Sequence, residues 1–238
     1  PAGQAEVADL LRRTTGAAPV ETHISAVFVG PDTVWKLRKA VRLSFVDFTA
    51  LAERERTARR EVELNAPHAP GLYQDVVPVV RRPDGHLALG GTGQVVDWVV
   101  RMGRVPSHHF LDALAATQAL SGTLLDRMAD AVAAMHASLK PAQCDHVASL
   151  RRVIEGNARA AHDAGVETDA IGRWRGGALG LLDRLAPWLC ARAKEGYVRR
   201  AHGDLHLGNL CLWHGNVVPF DALEFDEDLA TIDLGYDL

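Results

Sequence analysis

Cysteine, lysine and long apolar runs are all scarce in this sequence of 238 residues. Its three cysteines, Cys144, Cys190 and Cys211, are odd in number and widely spaced, which fits a reducing cytoplasm and excludes a disulfide framework or a zinc finger. No stretch approaches the roughly 18 consecutive apolar residues that a membrane-spanning helix requires. The N-terminus lacks the cationic flank of a signal peptide, so we expect a cytoplasmic protein.

Charge and composition narrow the classes of function. The 26 basic residues are outnumbered by 30 acidic residues, and the resulting net charge of −4 argues against a general nucleic-acid-binding protein. Apolar residues make up 47% of the chain and charged residues 24%, as in a globular protein with a substantial core. Only four of the basic residues are lysines. A lysine inside a strand is therefore notable, because its compact ammonium charge and the planar guanidinium of arginine are not interchangeable.

The first third of the chain has the residue pattern of β-strands, with one charged helical segment. A helix is predicted over 49–65, with Thr49 as its N-cap, because apolar residues recur there at helical spacing. Strands are predicted at 24–29, 33–37, 76–80, 87–89 and 95–100. The first two strands flank a Gly-Pro-Asp turn and are expected to form a hairpin.

The rest of the chain is mainly helical and ends with a second hairpin. Helices are predicted over 107–120, 123–139, 148–164 and 171–194, and hairpin strands over 209–213 and 217–221. This order of elements predicts an α+β protein of two lobes. The small β-rich N-lobe is expected over 1–101 and the mainly helical C-lobe over 102–238.

One segment near the C-terminus has the spacing of a kinase catalytic loop. Residues 202–209 read HGDLHLGN, which matches the pattern H-x-D-L-x-x-x-N. Asp221 follows Asn209 by twelve residues and ends the second hairpin. Phosphoryl transfer needs a base for the acceptor hydroxyl, then an amide oxygen and a carboxylate as Mg²⁺ ligands. Asp204, Asn209 and Asp221 supply these three groups in that order.

The same segments resemble the aminoglycoside phosphotransferase-like family, the small-molecule branch of the protein-kinase-like fold. HGDLHLGN is similar to the catalytic loop of that family and PFDALEF to its metal-binding strand end. ETHIS, TVWKLRK, REVELN and DWVVRM resemble an uncharacterised bacterial subgroup. The resemblance covers most of the chain, over 20–238. It implies transfer of the γ-phosphoryl group of ATP, with Mg²⁺, to a hydroxyl of a small molecule, and no nucleic-acid or membrane partner is expected.

The resemblance also implies a lysine and a glutamate that hold the nucleotide. Lys36, in the second predicted strand, takes the position of the lysine that contacts the α- and β-phosphates, with Lys39 as the alternative. A glutamate of the predicted helix should pair with this lysine. Glu61 lies beside the apolar stripe of that helix and Glu63 points away from it, while Glu55 lies near the stripe edge. Glu61 is therefore the preferred partner.

The sequence departs from protein kinases in several places. No G-x-G-x-x-G motif precedes Lys36, so the cover over the phosphates is assigned to residues 22–25, with Ser25 and backbone N–H groups as donors. FDA stands in place of D-F-G and no A-P-E follows, which argues against a protein kinase with a phosphorylated activation loop. Family members usually continue with more helices, so the resemblance implies a chain truncated at its C-terminus.

Two other classes of function stay open. In a metal-dependent hydrolase, His202, Asp204 and His206 would hold Zn²⁺ or a pair of metal ions. In a non-catalytic module, a kinase-like fold would bind a nucleotide without turnover. The acceptor of a kinase is not identified by the sequence, although the six acidic residues among the last 17 favour a cationic one.

Overall fold

The computed structural model describes residues 2–43 and 45–237, and the chain divides into two compact units. The first unit comprises residues 1–131 and 207–225, and the second comprises residues 132–206 and 226–238. The architecture is α+β, as the sequence predicts. The predicted lobe limits, at 101 and 102, stay a prediction. Each helix in the described part of the chain is too short or too polar to cross a membrane.

The first unit is organised around a six-stranded antiparallel sheet. In chain order, the strands of its N-terminal part are β1 (Val20–Glu21), β2 (Ser25–Val29), β3 (Thr33–Arg38), β4 (Arg42–Leu43), β5 (Val46–Asp47), β6 (Tyr73–Arg81), β7 (Leu87–Leu89) and β8 (Gln94–Gly103). The sheet has the order β1-β2-β3-β8-β6-β7, whereas β4 and β5 pair only with each other. The predicted hairpin of β2 and β3 is confirmed, and β3 lies in the interior of the sheet between β2 and β8.

One face of this sheet is covered by a helix that the sequence reasoning did not predict, α1 (Ala5–Thr15). Its buried residues Val7 and Leu11 pack in one cluster with Trp35 and Leu37 of β3. Val7, Leu10 and Leu11 stand at i, i+3 and i+4, a helical spacing that the sequence reasoning missed. Packing against the sheet supplies the stabilisation that so short a helix lacks by itself.

The opposite face of the sheet carries α2 (Leu51–Asn65). Ala58 of this helix packs there with Val34 and Val100. Because successive side chains of a strand point to opposite faces, Lys36 shares the α2 face with Val34. The helix and the lysine of the predicted site therefore meet on one side of the sheet.

The start of α2 corrects one prediction. The helix begins after Ala50, whose side chain has no capping oxygen, so the predicted N-cap Thr49 is wrong. The Thr49 hydroxyl instead donates to Oδ1 of Asp47 at 2.5 Å. The Thr49 side chain therefore makes a contact within the preceding turn and not the helix cap that the sequence pattern predicts.

The remaining elements follow in chain order. They are α3 (Leu111–Ala116), α4 (Gly122–Ser138), α5 (His146–Asp163), α6 (Thr168–Lys194), β9 (Val198–Arg200), β10 (Leu210–Trp213), β11 (Asn216–Pro219), α7 (Glu227–Ala230) and β12 (Thr231–Asp233). The continuous helix predicted over 107–120 is wrong. Phe110 has extended backbone, with φ −74° and ψ 140°, and separates a 3₁₀ turn at Ser107–His109 from α3.

The second unit is held by two long helices and a two-stranded sheet. Helices α5 and α6 are linked by ion pairs of Arg151 with Asp183 and of Arg175 with Glu155, each with a contact of 2.5 Å. Strands β9 and β12 pair antiparallel. The catalytic-loop motif starts two residues after β9, so this small sheet anchors the beginning of the loop.

Candidate active site

Lys36 is the centre of a buried cluster of charges in the first unit. Lys36 is 9% exposed and lies on β3, where it is paired with Val27 of β2 and Val100 of β8. The Nζ amine donates to Oε1 of Glu61 at 2.7 Å and to Oδ1 of Asp221 at 2.5 Å. The fold thus brings together three of the residues that the sequence assigned to one site.

The alternatives to Lys36 and Glu61 lie elsewhere. Nζ of Lys39 donates to Oε2 of Glu21 and to the carbonyl of Thr22, both at 2.7 Å. Of the candidate glutamates on α2, Glu61 is 1% exposed and faces the sheet, whereas the Glu63 side chain is 68% exposed. Glu55 pairs with Arg59 of the same helix. The helical spacing that favoured Glu61 over its neighbours matches the observed orientation.

Arg38 and Glu224 belong to the same cluster and were missed by the sequence reasoning. The Arg38 guanidinium donates to Oε2 of Glu61 at 2.8 Å and to the Glu224 carboxylate. The Arg38 and Glu224 side chains are 5% and 4% exposed. One signal was available, since Arg38 follows Lys36 by two positions and must share its face of the strand. Glu224 offered only its position, three residues after Asp221.

The charges of the cluster set the pKa values of its members. Burial by itself would lower the pKa of Lys36, but the carboxylates of Asp221 and Glu61 outweigh it and hold that pKa above its ordinary value. Burial raises the pKa of Glu224 to about 7, although the Arg38 guanidinium opposes the shift. The two cations and three carboxylates carry a formal charge of −1.

The backbone at Asp221 is held in an unusual conformation by the first unit. Its φ of 62° lies in the left-handed region, which aspartate tolerates better than most residues. The Asp221 amide donates to the Tyr73 hydroxyl at 3.1 Å, and the next amide, of Ala222, donates to Oδ1 of Asn65 at 2.9 Å. Asn65 in turn donates to the carbonyl of Glu61 at 2.8 Å. Such local strain persists where the surroundings over-determine it, typically at functional sites.

Asn209 and Asp221 flank the open end of the β10–β11 hairpin. Leu210 is paired with Pro219, and beyond this pair the amide of Phe220 donates to the carbonyl of Asn209 at 3.0 Å. Asn209 is buried, whereas the Asp221 side chain is 39% exposed. Amide and carboxylate oxygens are ligands that Mg²⁺ accepts. The donor set therefore fits a magnesium ion.

Ser25 lies at the start of β2, next to this cluster. It is 2% exposed, and its hydroxyl accepts a hydrogen bond from the Arg38 guanidinium at 3.2 Å. The Ser25 amide donates to the Thr22 hydroxyl at 3.0 Å, which closes the turn over residues 22–25. The role of Ser25 as a phosphate contact stays a prediction.

Asp204 lies in the second unit, in a loop that is fixed through its backbone. The amide of Asp204 donates to Nδ1 of His202 at 3.3 Å. The amides of His202 and Gly203 donate to the Asp237 carboxylate at 3.1 and 3.2 Å, and Nε2 of His136 lies 3.1 Å from the same group. The Asp204 side chain is 60% exposed. The backbone of the loop is thus held by side-chain contacts, while most of the Asp204 side chain is exposed.

The contacts of the histidines bear on the zinc hypothesis. His202 is 2% exposed and uses Nδ1 to accept from the backbone, which is the contact of a residue that braces the loop. Nε2 of His206 lies 3.9 Å from Oδ2 of Asp204. Among the residues that the structure describes, no three or more His, Cys, Asp or Glu side chains are grouped so that they could hold a metal ion.

Comparison with known proteins places these residues in a family context. Residues 33–219 match the model of a phosphotransferase enzyme family, APH. Relatives include two uncharacterised proteins of Mycobacterium tuberculosis, from strains CDC 1551 and H37Rv, and one of Mycobacterium bovis. Each is 27% identical over 220 residues, which are 90% of this chain and 42% of the relative. The chain therefore spans less than half the length of these relatives.

Proposed function

Because the chain belongs to the phosphotransferase enzyme family, we propose that it is a small-molecule kinase, which transfers the γ-phosphoryl group of ATP to a hydroxyl with the aid of Mg²⁺. The observation that carries this proposal is the position of the Lys36 amine, which bridges Glu61 of α2 and Asp221 of the hairpin end. A buried lysine held between a helix glutamate and a metal-binding aspartate is the arrangement that phosphoryl transfer uses.

Lys36 and Glu61 act on the phosphates of the nucleotide. The Lys36 amine carries a positive charge on a rigid strand, and the α- or β-phosphate oxygens are the anions that it would contact. Glu61 keeps the amine oriented, since its own carboxylate is buried and held by two cations. The amine also contacts Asp221, so nucleotide binding would exchange that carboxylate for a phosphate oxygen.

Asn209 and Asp221 would hold the magnesium ion through their side-chain oxygens. The ion supplies positive charge that offsets the charge developing on the transferred group. Asp221 has an exposed carboxylate on a fixed backbone, and Asn209 lies across the same hairpin end. Through the ion, these two residues would orient the phosphates from fixed oxygen positions.

Asp204 acts on the acceptor. Its exposed carboxylate would accept or orient the proton of the acceptor hydroxyl as the hydroxyl oxygen bonds to the γ-phosphorus and the bond to the β-phosphate breaks. A positioned base of this kind contributes roughly 10²–10⁴-fold to the rate. The loop contacts of His202 and Asp237 hold the Asp204 backbone in place for this role.

The structure changes the expectation of a cationic acceptor. Three acidic side chains of the C-terminal tail are paired with arginines of the second unit: Asp228 with Arg152, Glu227 with Arg200 and Asp233 with Arg192. A charge that is already paired attracts a distant cation weakly. The acidic tail therefore gives no reason to prefer a cationic acceptor. Neutral sugars and alcohols are equal candidates.

The test is ATP consumption with Mg²⁺ against a panel of sugars, amino-alcohols and aminoglycosides. We expect acceptor-dependent turnover with at least one class. Asp204→Asn should reduce that turnover at least about 10²-fold and leave nucleotide binding intact. Asp163→Asn is the matched control, because the Asp163 side chain is 69% exposed and lies at the end of α5. Turnover of Asp204→Asn near the wild-type rate would refute the proposed base.

A further inference from the structure

Arg38 contacts two carboxylates of the buried cluster, and the proposed function has not yet assigned it a role. Lys36 and Glu61 already form an ion pair, and the Asp221 carboxylate already reaches Lys36. Arg38 adds a second cation on the same face of β3, with a side chain that is 5% exposed. Its partners are Glu61 of α2 and Glu224 of the segment that follows the hairpin.

Arg38 limits the freedom of Glu61. The two carboxylate oxygens of Glu61 are held separately, Oε1 by Lys36 at 2.7 Å and Oε2 by Arg38 at 2.8 Å. A carboxylate that is bonded on both oxygens cannot rotate without breaking one of these contacts. The planar guanidinium suits this task because its several N–H groups point in fixed directions. Arg38 therefore sets the direction from which Glu61 reaches the Lys36 amine.

Glu224 extends the same restraint to Asp221. The segment 221–224 is held at its start by contacts of the Asp221 and Ala222 amides with Tyr73 and Asn65. At its end, the Glu224 carboxylate accepts from Arg38. The Asp221 carboxylate therefore projects from a segment that is fixed on both sides. One arginine connects the partner of the lysine with the segment that carries the proposed metal ligand.

We propose that Arg38 and Glu224 are a pair of positioning residues, which keep the Glu61 and Asp221 carboxylates in register with the Lys36 amine for phosphoryl transfer. This inference rests on the proposed function, and it assigns to the pair no contact with the substrate. Misplacement of reacting groups by about 1 Å costs on the order of 10²-fold in rate, so a pair that fixes two such groups has a large effect on turnover.

A purely structural role predicts a different result for a double substitution. Removal of one partner of a buried ion pair leaves the other charge unpaired and is strongly destabilising, whereas replacement of both partners by apolar residues of similar volume is often neutral or stabilising. The double variant Arg38→Met/Glu224→Leu replaces this pair as a unit but leaves Oε2 of Glu61 without its guanidinium donor, so it should fold with a lower thermal midpoint than the wild type. If the pair serves only the fold, turnover should survive in this variant. If the pair positions the carboxylates, turnover should fall although the fold is kept.

The experiment measures the thermal midpoint, kcat and KM for ATP of the full chain and the double variant, with the acceptor found for the wild type. The control is Arg101→Met/Asp75→Leu, which removes a doubly hydrogen-bonded but more exposed arginine–aspartate pair from the same sheet. We expect the positioning variant to be folded at the assay temperature with a lower midpoint and to keep a KM within about threefold, while its kcat falls about 10- to 100-fold. The control should keep its kcat within about threefold.

Arg38→Lys provides a second variant. Nη2 of Arg38 donates to both carboxylates and Nη1 donates to Ser25. Lysine keeps the positive charge but lacks this planar pair of nitrogens, so kcat should be only partly restored relative to the double variant. A folded double variant with the kcat of the wild type would overturn the inference. Loss of the folded state in both the double variant and Arg38→Lys would also overturn it, since the pair would then be structural. Absence of turnover in the wild type would instead refute the proposed function, and this inference with it.

Discussion

The Lys36 amine donates to Oδ1 of Asp221 at 2.5 Å, which joins the interior of the N-terminal sheet to the end of the β10–β11 hairpin. A lysine that pairs with the proposed metal-binding carboxylate competes with a cation for it. The contact holds these two side chains together, and it predicts that metal binding at Asp221 would depend on a nucleotide that draws the amine away. This dependence can be measured.

Lys36→Met should reduce turnover much more than Lys39→Met. Removal of Lys36 takes away a buried donor aimed at the phosphates, and loss of one such preorganised donor typically lowers kcat about 10²–10³-fold. Lys39 is bonded to Glu21 and the Thr22 carbonyl, away from the cluster, so its variant should stay within about threefold of the wild type. Steady-state kinetics with ATP decides between them, and equal losses in both variants would contradict the assignment.

Glu61→Gln and Glu63→Gln separate the buried and exposed faces of α2. Glu61 is 1% exposed and accepts from two cations, so its neutralisation should lower the free energy of unfolding by about 3–5 kcal/mol. Glu63 is largely exposed, and its variant should change the free energy by no more than about 0.5 kcal/mol. Chemical denaturation measures both values. A stability loss for Glu63→Gln as large as that for Glu61→Gln would mean that the helix faces are misassigned.

The stability of the protein should fall with rising pH because of Glu224. Burial raises the pKa of Glu224 from 4.5 to about 7, in a cluster that also contains Arg38, Glu61, Lys36 and Asp221. Between these two pKa values the folded state binds more protons than the unfolded state, so the contribution of Glu224 is present below pH 4.5 and is lost as the pH rises through 7.

Denaturation of wild type and Glu224→Gln at pH 5 and pH 8 measures this contribution. The stability of the wild type relative to the variant should decline by roughly 3 kcal/mol at most, since one pKa unit corresponds to about 1.4 kcal/mol. Titrating groups outside this cluster are common to both proteins and cancel in the difference. A difference that stays constant with pH would show that Glu224 ionises normally.

Magnesium should bind weakly without nucleotide and more tightly with it. The Lys36 amine donates to Oδ1 of Asp221, whereas a nucleotide would draw the amine to its phosphates and supply further oxygen ligands. Thermal midpoints with Mg²⁺ alone, ATP alone and both together measure this coupling. The combined shift should exceed the sum of the single shifts, and Asp221→Asn should remove the excess. Strong stabilisation by Mg²⁺ alone would argue against the proposed exchange of partners.

Local patterns in the sequence predicted many of the elements but not their ends. The period of two in 33–37 and the hairpin at 209–221 are local features, and both appear in the structure. Thr49 failed as an N-cap because its hydroxyl bonds to Asp47, a choice that depends on how the preceding turn folds. Helix α1 has apolar residues at helical spacing, Val7, Leu10 and Leu11, and could have been recognised from them, although the face of the sheet that it covers is decided only by the tertiary packing.

The sequence by itself determined the chemistry that is available: an H-x-D-L-x-x-x-N loop, an aspartate twelve residues later, and a lysine on a defined face of a strand. These follow from spacing along the chain, which covalent geometry translates directly into local structure. Only the tertiary structure decided that Arg38 meets Glu224, that Glu61 is bonded on both oxygens, and that the acidic tail is paired with arginines. Such contacts join residues far apart in sequence, and burial and packing select them from many pairings that the sequence allows equally well.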